Sequence, residues 1–213
     1  MAKTNRGGMG RNPERTRERI LSAALKEFAA NGFAGARVDA IARRAAVNKR
    51  MLYHYFGNKE QLFRRVLHHK IAGRRASAEG LTGDPTESLP FWFRLSCNDT
   101  DWVRLLEWEA LQGGDERVID EKRRRSLAGG VVDGIRRQQA QGVLPGGFEP
   151  EHLLLALRSL AVFPVAFPQL ARMFTGQPVS DPGFQRRYAK FLEKFAAAFQ
   201  PVRGRRKRTR SEN

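Results

Sequence analysis

Residues 38–62 read VDAIARRAAVNKRMLYHYFGNKEQL, and this stretch decides the fold. Val38, Ile41, Ala42 and Ala45 recur at i, i+3, i+4 and i+7, one apolar face of a short helix whose other face holds Arg43 and Arg44. Val47 breaks the rhythm, and Asn48 offers a side-chain oxygen to cap a second short helix, Lys49 to Phe56, that stops before Gly57. Two short helices joined by so tight a turn suggest a helix-turn-helix. Asn58 can cap the next helix with Gln61 as its capping-box partner, and Leu62, Phe63, Val66, Leu67 and Ile71 form its buried stripe, running to about Gly80.

Upstream, Ile20, Leu21, Ala24, Leu25 and Phe28 mark one face of a helix from Glu14 to Ala30, with Asn31-Gly32 as its stop. Downstream, helical signals run over Leu89 to Leu95, Trp102 to Leu111, Val118 to Gln141, Leu153 to Phe174 and Phe184 to Phe199, separated by breaks rich in Gly, Pro and Asp. No stretch alternates with period two. The expected class is all-α: an N-terminal three-helix helix-turn-helix domain at 14–60, then a larger helical domain at 61–199, to which the family resemblance given below assigns effector binding and dimerisation, with DNA binding assigned to the first.

At about 100° per residue, Lys49, Arg50, Tyr53 and His54 share an arc of roughly 140°, while Leu52, Tyr55 and Phe56 cluster opposite. One side packs and the other is left to hydrogen-bond base edges and phosphates, although a solvated polar face has the same composition. Lys59 stands in the first turn of its helix, where the macrodipole disfavours a cation unless a phosphate docks there too.

Charge agrees with a polyanionic partner. The 213 residues carry 39 Lys and Arg against 22 Asp and Glu, a net +17 with a pI near 11.2. Residues 1–60 hold +8 and residues 200–213 hold +5, leaving only +4 for the long middle. The ends, 1–13 and 200–213, read as a basic flexible arm and a basic disordered tail. Such an arm lies along phosphates, enters a minor groove or merely solubilises.

The run from Arg15 to Phe33 (RTRERILSAALKEFAANGF), with 38–56 and Asn58-Lys-Glu-Gln-Leu, closely resembles the N-terminal domain of tetracycline-repressor (TetR) family regulators. The resemblance covers about residues 14–63. It implies a homodimeric, ligand-responsive transcription factor, usually a repressor, whose third helix reads operator DNA and whose C-terminal domain binds a small-molecule effector. It also places Asn48, Lys49, Arg50, Met51, Tyr53 and His54 at the DNA, Lys59 on a phosphate, and Arg37 where many members have a phosphate-binding threonine. Three departures stand out: Arg37 for that threonine, Ala46 for the usual turn glycine, and Asn48 for a usual serine. Ala46 is expected to avoid a strongly left-handed conformation. Arg50-Met51 replaces a common Gly-Thr pair, so an unusual operator preference is expected.

In the C-terminal part, Phe184, Tyr188, Phe191, Leu192, Phe195 and Phe199 form a broad aromatic stripe. With Leu153, Leu157 and Leu160 it is expected to make the dimer interface, intramolecular core being the alternative. Phe91, Trp92 and Phe93, with Trp102, Leu105, Leu106 and Glu109 on one helical face, are either core or an effector pocket. Glu109 would be its polar anchor. Phe163, Pro164, Phe167 and Pro168 should kink their helix, opening space for a ligand or fitting the interface.

Other classes lack their parts. There is no Walker loop, His-Glu-x-x-His site or nucleophile elbow, and His68, His69, Glu107, Glu109 and His152 read as surface groups, so no enzyme, metal or cofactor is expected. Cys97, the single cysteine, excludes an intramolecular disulfide and reads as a small core residue. A membrane span needs about 18 uninterrupted apolar residues, and the best candidate, Leu153 to Leu170, is broken by Arg158, Pro164, Pro168 and Gln169. The first dozen residues lack an apolar secretory segment, so a cytoplasmic location is expected. A basic architectural protein coating DNA without sequence choice remains the alternative function.

Overall fold

The computed structural model describes residues 12–81, 83–113 and 118–199. Most of the N-terminal arm and the whole C-terminal tail lie outside the described residues. Among the described residues there are ten helices and no strand: α1 (Pro13–Gly35), α2 (Val38–Arg44), α3 (Lys49–Phe56), α4 (Lys59–Ser77), α5 (Pro85–Asn98), α6 (Thr100–Gly113), α7 (Glu121–Ala140), α8 (Pro150–Ala166), α9 (Pro168–Thr175) and α10 (Pro182–Phe199). They fall into two compact units, one of α1–α4 and α6, the other of α5 and α7–α10. The expected boundary at 60/61 is therefore not where the chain divides: α4 and α6 pack with the N-terminal helices.

In the first unit, Ile20, Ala24 and Phe28 of α1 meet Ile41 of α2, Leu52 and Phe56 of α3, Leu62, Phe63, Val66 and Leu67 of α4, and Leu105 of α6 in one core. Phe63 sets its edge against Phe28 at 4.8 Å and Phe33 at 5.4 Å between ring centroids. Burying each such side chain is worth about 1.5–3 kcal/mol, which makes eight-residue α3 stable only as part of this assembly. Asn12 caps α1, and α4 begins with the expected capping box between Asn58 and Gln61. Helix α1 passes its expected stop and runs to Gly35, but Gly32 itself leaves helical geometry at φ 68°, ψ 179°.

The second unit is built on α5 and α10, with Leu89 and Phe93 packed against Phe184, Ala189, Leu192 and Ala196. A smaller cluster joins Ile135, Leu144 and Leu153. The single segment expected over Leu153 to Phe174 is two helices meeting at 90°. Pro168 causes the break: its ring pushes the preceding residue out of α geometry, and Phe167 sits at φ −122°, ψ 62°. Among the described residues no single helix is long and apolar enough to cross a membrane.

Candidate DNA interface

Helix α3 is capped by Asn48, whose side-chain oxygen accepts from the Met51 amide at 2.7 Å. Leu52 and Phe56 are buried, Met51 and Tyr55 half-buried, and Lys49, Arg50, Tyr53 and His54 exposed, so the arc expected to stay open is open. Arg50 makes no hydrogen bond or ion pair among the described residues. Lys49 is different: its ammonium sits 3.1 Å from an Asp39 carboxylate oxygen on α2, and that hydrogen bond raises its pKa. A phosphate would have to compete with Asp39 for this lysine.

Two other predicted contacts are held by the scaffold. Arg37 precedes α2 with its side chain exposed, and its amide donates to Glu27 Oε1 at 3.1 Å. Lys59 lies in the first turn of α4, donates to the Ala34 carbonyl at 3.1 Å, and stands 5.0 Å above the Phe33 ring. Burial lowers its pKa. One carbonyl uses one of three ammonium protons, so Lys59 keeps donors for a phosphate.

The turn between α2 and α3 departs from expectation. Ala46 is left-handed, at φ 50°. Its amide donates to Arg43 and the Val47 amide to Ala42, the paired bonds of a Schellman ending, which needs a left-handed residue at this place. The β-carbon of alanine makes that conformation cost about 1–2 kcal/mol. Arg19 of α1 reaches the same turn, its Nη2 donating to the carbonyls of Ala45 at 2.7 Å and Ala46 at 3.0 Å, and its Nε to Ala45 at 3.1 Å.

Glu27, also absent from the sequence-based set, is only 6% exposed and accepts from Asn31 as well as from the Arg37 amide. A weak signal for it existed, because Glu27 falls at the edge of the apolar face of α1, beside Ile20. Arg19 had none, since its partners are 26 and 27 residues away.

The aromatic cluster that the sequence left open as core or pocket is divided between units: Phe91 and Trp92 lie on α5, Trp102, Leu105, Leu106 and Glu109 on α6. Leu105 is fully buried in the first core, and Trp102 packs on that core with Arg74 5.7 Å from its ring. Glu109 accepts from the Ile119 amide, and Trp108 Nε1 donates to the Ala29 carbonyl at 3.2 Å. The apolar face of α6 thus covers α1, which is why its periodicity is strong. In the second unit, Phe163 and Phe167 pair at 5.2 Å and stay 41% and 44% exposed.

The residues expected at a dimer interface also separate. Leu153 and Phe184 are buried in their own unit, while Leu157, Leu160 and Tyr188 are half-buried and the Tyr188 hydroxyl donates to the Leu160 carbonyl. These serve the intramolecular core. Phe191 and Phe195 are 49% and 36% exposed, and Leu155 on α8, not anticipated, is 66% exposed.

An apolar scaffold presenting one exposed, cation-bearing helix after a tight turn defines a helix-turn-helix DNA-binding regulator. The sequence profile described as bacterial regulatory proteins, tetR family, matches residues 20–66, and that of the tetracyclin repressor-like C-terminal domain matches residues 92–194. The chain is 35% identical over 169 residues to the HTH-type transcriptional repressor SCO4008 of Streptomyces coelicolor, covering 78% of this chain and 86% of the relative. It is 32% identical over 168 residues to the HTH-type transcriptional repressor NicS of Pseudomonas putida, covering 74% and 79%. Among solved structures, one described as a transcriptional regulator, SCO4942 of Streptomyces coelicolor, superposes with a TM-score of 0.73 at 28% identity over 87% of this chain and 99% of that one. The chain belongs to the TetR family of transcriptional regulators.

Proposed function

We propose that this regulator is a ligand-relieved repressor that binds a palindromic operator as a homodimer. The observation that carries the reading is α3: Leu52 and Phe56 anchor it, and Lys49, Arg50, Tyr53 and His54 are turned outward together. Arg50 is the base-reading residue, with Asn48, Met51, Tyr53 and His54 beside it; Arg37, Lys49 and Lys59 hold phosphates. The two relatives named as repressors support repression. Dimerisation through Phe191, Phe195 and the outer side of α8 would present two reading helices about 34–36 Å apart, one turn of DNA. The effector site belongs to the second unit, and induction is a shift in population between half-site spacings.

Selection of bound fragments from genomic DNA at near-physiological salt, followed by titration on the best fragment, tests the reading. Enrichment of one short palindrome is the expected result. Uniform binding that vanishes with salt would instead favour an architectural protein without an effector.

A further inference from the structure

We infer that Arg19 is a positioning residue for the reading helix: it clamps the left-handed Ala46 turn from outside and thereby fixes where α3 begins. Ala45 is the last-turn cap of α2, and its carbonyl, like that of Ala46, has no onward helical amide to accept from. The Arg19 guanidinium supplies the missing donors in three bonds of 2.7 to 3.1 Å. A cation at a helix C-terminus is also favoured by the partial negative charge gathered there. Among the described residues Arg19 makes no ion pair, so its bonds at the turn are its only polar engagement.

The placement matters because two residues separate Ala46 from Lys49. Asn48, which caps α3, follows the turn directly, so any relaxation of Ala46 out of its φ of 50° re-aims the cap and the first turn of α3 together. Glycine at 46 would adopt this conformation without a β-carbon and would need no external support. With alanine there, the support comes from α1. Arg19 thus acts on DNA recognition through the backbone of the turn and touches no base.

The DNA consequence rests on the operator-binding reading above; the clamp does not, and two readouts separate them. Amide hydrogen exchange on the full chain without DNA reports the clamp: Arg19→Ala should lower protection of the Ala46 and Val47 amides about tenfold, and Arg19→Ala with Ala46→Gly should restore most of it. Titration on the selected operator and on random DNA reports the consequence: Arg19→Ala should weaken operator binding about tenfold and random DNA less than about twofold, with the double variant recovering. Unchanged protection, or a loss that Ala46→Gly does not rescue, would overturn the clamp. Equal losses on both DNAs, with a salt slope smaller by about one, would make Arg19 a phosphate contact instead. If Arg19→Ala does not fold, Arg19→Gln, which keeps an amide donor, carries the same comparison. Should the wild type select no operator while the exchange result holds, the clamp stands and the operator reading fails.

Discussion

The Trp108 ring lies 2.9 Å from the position a β-carbon would take on Gly32. Gln112 Nε2 crowds the same point at 2.6 Å, and φ 68°, ψ 179° is a conformation open essentially to glycine. Gly32→Ala should therefore destabilise the protein by about 2–4 kcal/mol, backbone strain and overpacking together. Gly35→Ala, whose β-carbon would meet only the Asn31 β-carbon at 3.5 Å, should change stability by less than about 0.5 kcal/mol. Urea unfolding of both variants decides whether α6 is seated on α1 as described.

Arg50 and Lys59 should fail in different ways. Arg50→Ala is expected to cost about 1–3 kcal/mol on the operator and to relax base preference, whereas Lys59→Ala should weaken all sequences alike. Parallel titrations on operator and random DNA report this, and equal patterns for the two variants would refute the division of roles.

Asp39 competes with a DNA phosphate for the Lys49 ammonium. Asp39→Ala removes both a competitor and a negative charge beside the reading helix, so binding to random DNA should tighten and its salt dependence steepen by up to about one ion. Weaker binding would show that Asp39 positions the lysine for its contact.

Exposed and buried aromatics of α10 should separate association from folding. Phe191→Glu with Phe195→Glu should give a folded monomer in sedimentation that no longer holds a palindrome. Phe184→Ala, at a site only 5% exposed, should cost about 3–5 kcal/mol of stability.

Cys97 should be a slow thiol. Burial pushes its pKa up to about 11 from an ordinary 9.0. Because the folded value is the higher one, the unfolded chain loses its proton first as pH rises. The thiol's contribution to stability is complete below pH 9 and fades between about 9 and 11. Alkylation at pH 8 should be much slower than for the unfolded chain and should climb only in strong alkali; rapid labelling at pH 8 would contradict the burial.

What could be read from the sequence was what is decided locally. The Asn58–Gln61 box, the Asn48 cap and the faces of α3 are set within a few residues, and each is found where the pattern put it. Periodicity shows that a face is covered but not by what. Trp102 and Leu105 were therefore open to a pocket reading until α6 was seen to pack on α1. Phe184 and Phe191 share a stripe yet differ in burial for the same reason. Ala46 shows the other limit, since its left-handed turn is met by a guanidinium 27 residues earlier in the chain.

The seating of α6 also changes what counts as a separable piece. Between α4 and α7 the chain leaves the first unit, builds α5, returns for α6 and departs again, so three covalent tethers join the halves at 79/80, 98/99 and 120/121. A recombinant head cut at residue 60 or 80 would lose the wall that Leu105 and Trp108 provide, leaving Ala29 and the rest of that α1 face wet. Exchange of reading heads between such regulators, whether by genetic shuffling or by design, has to carry α6 along or replace its apolar face with a polar one.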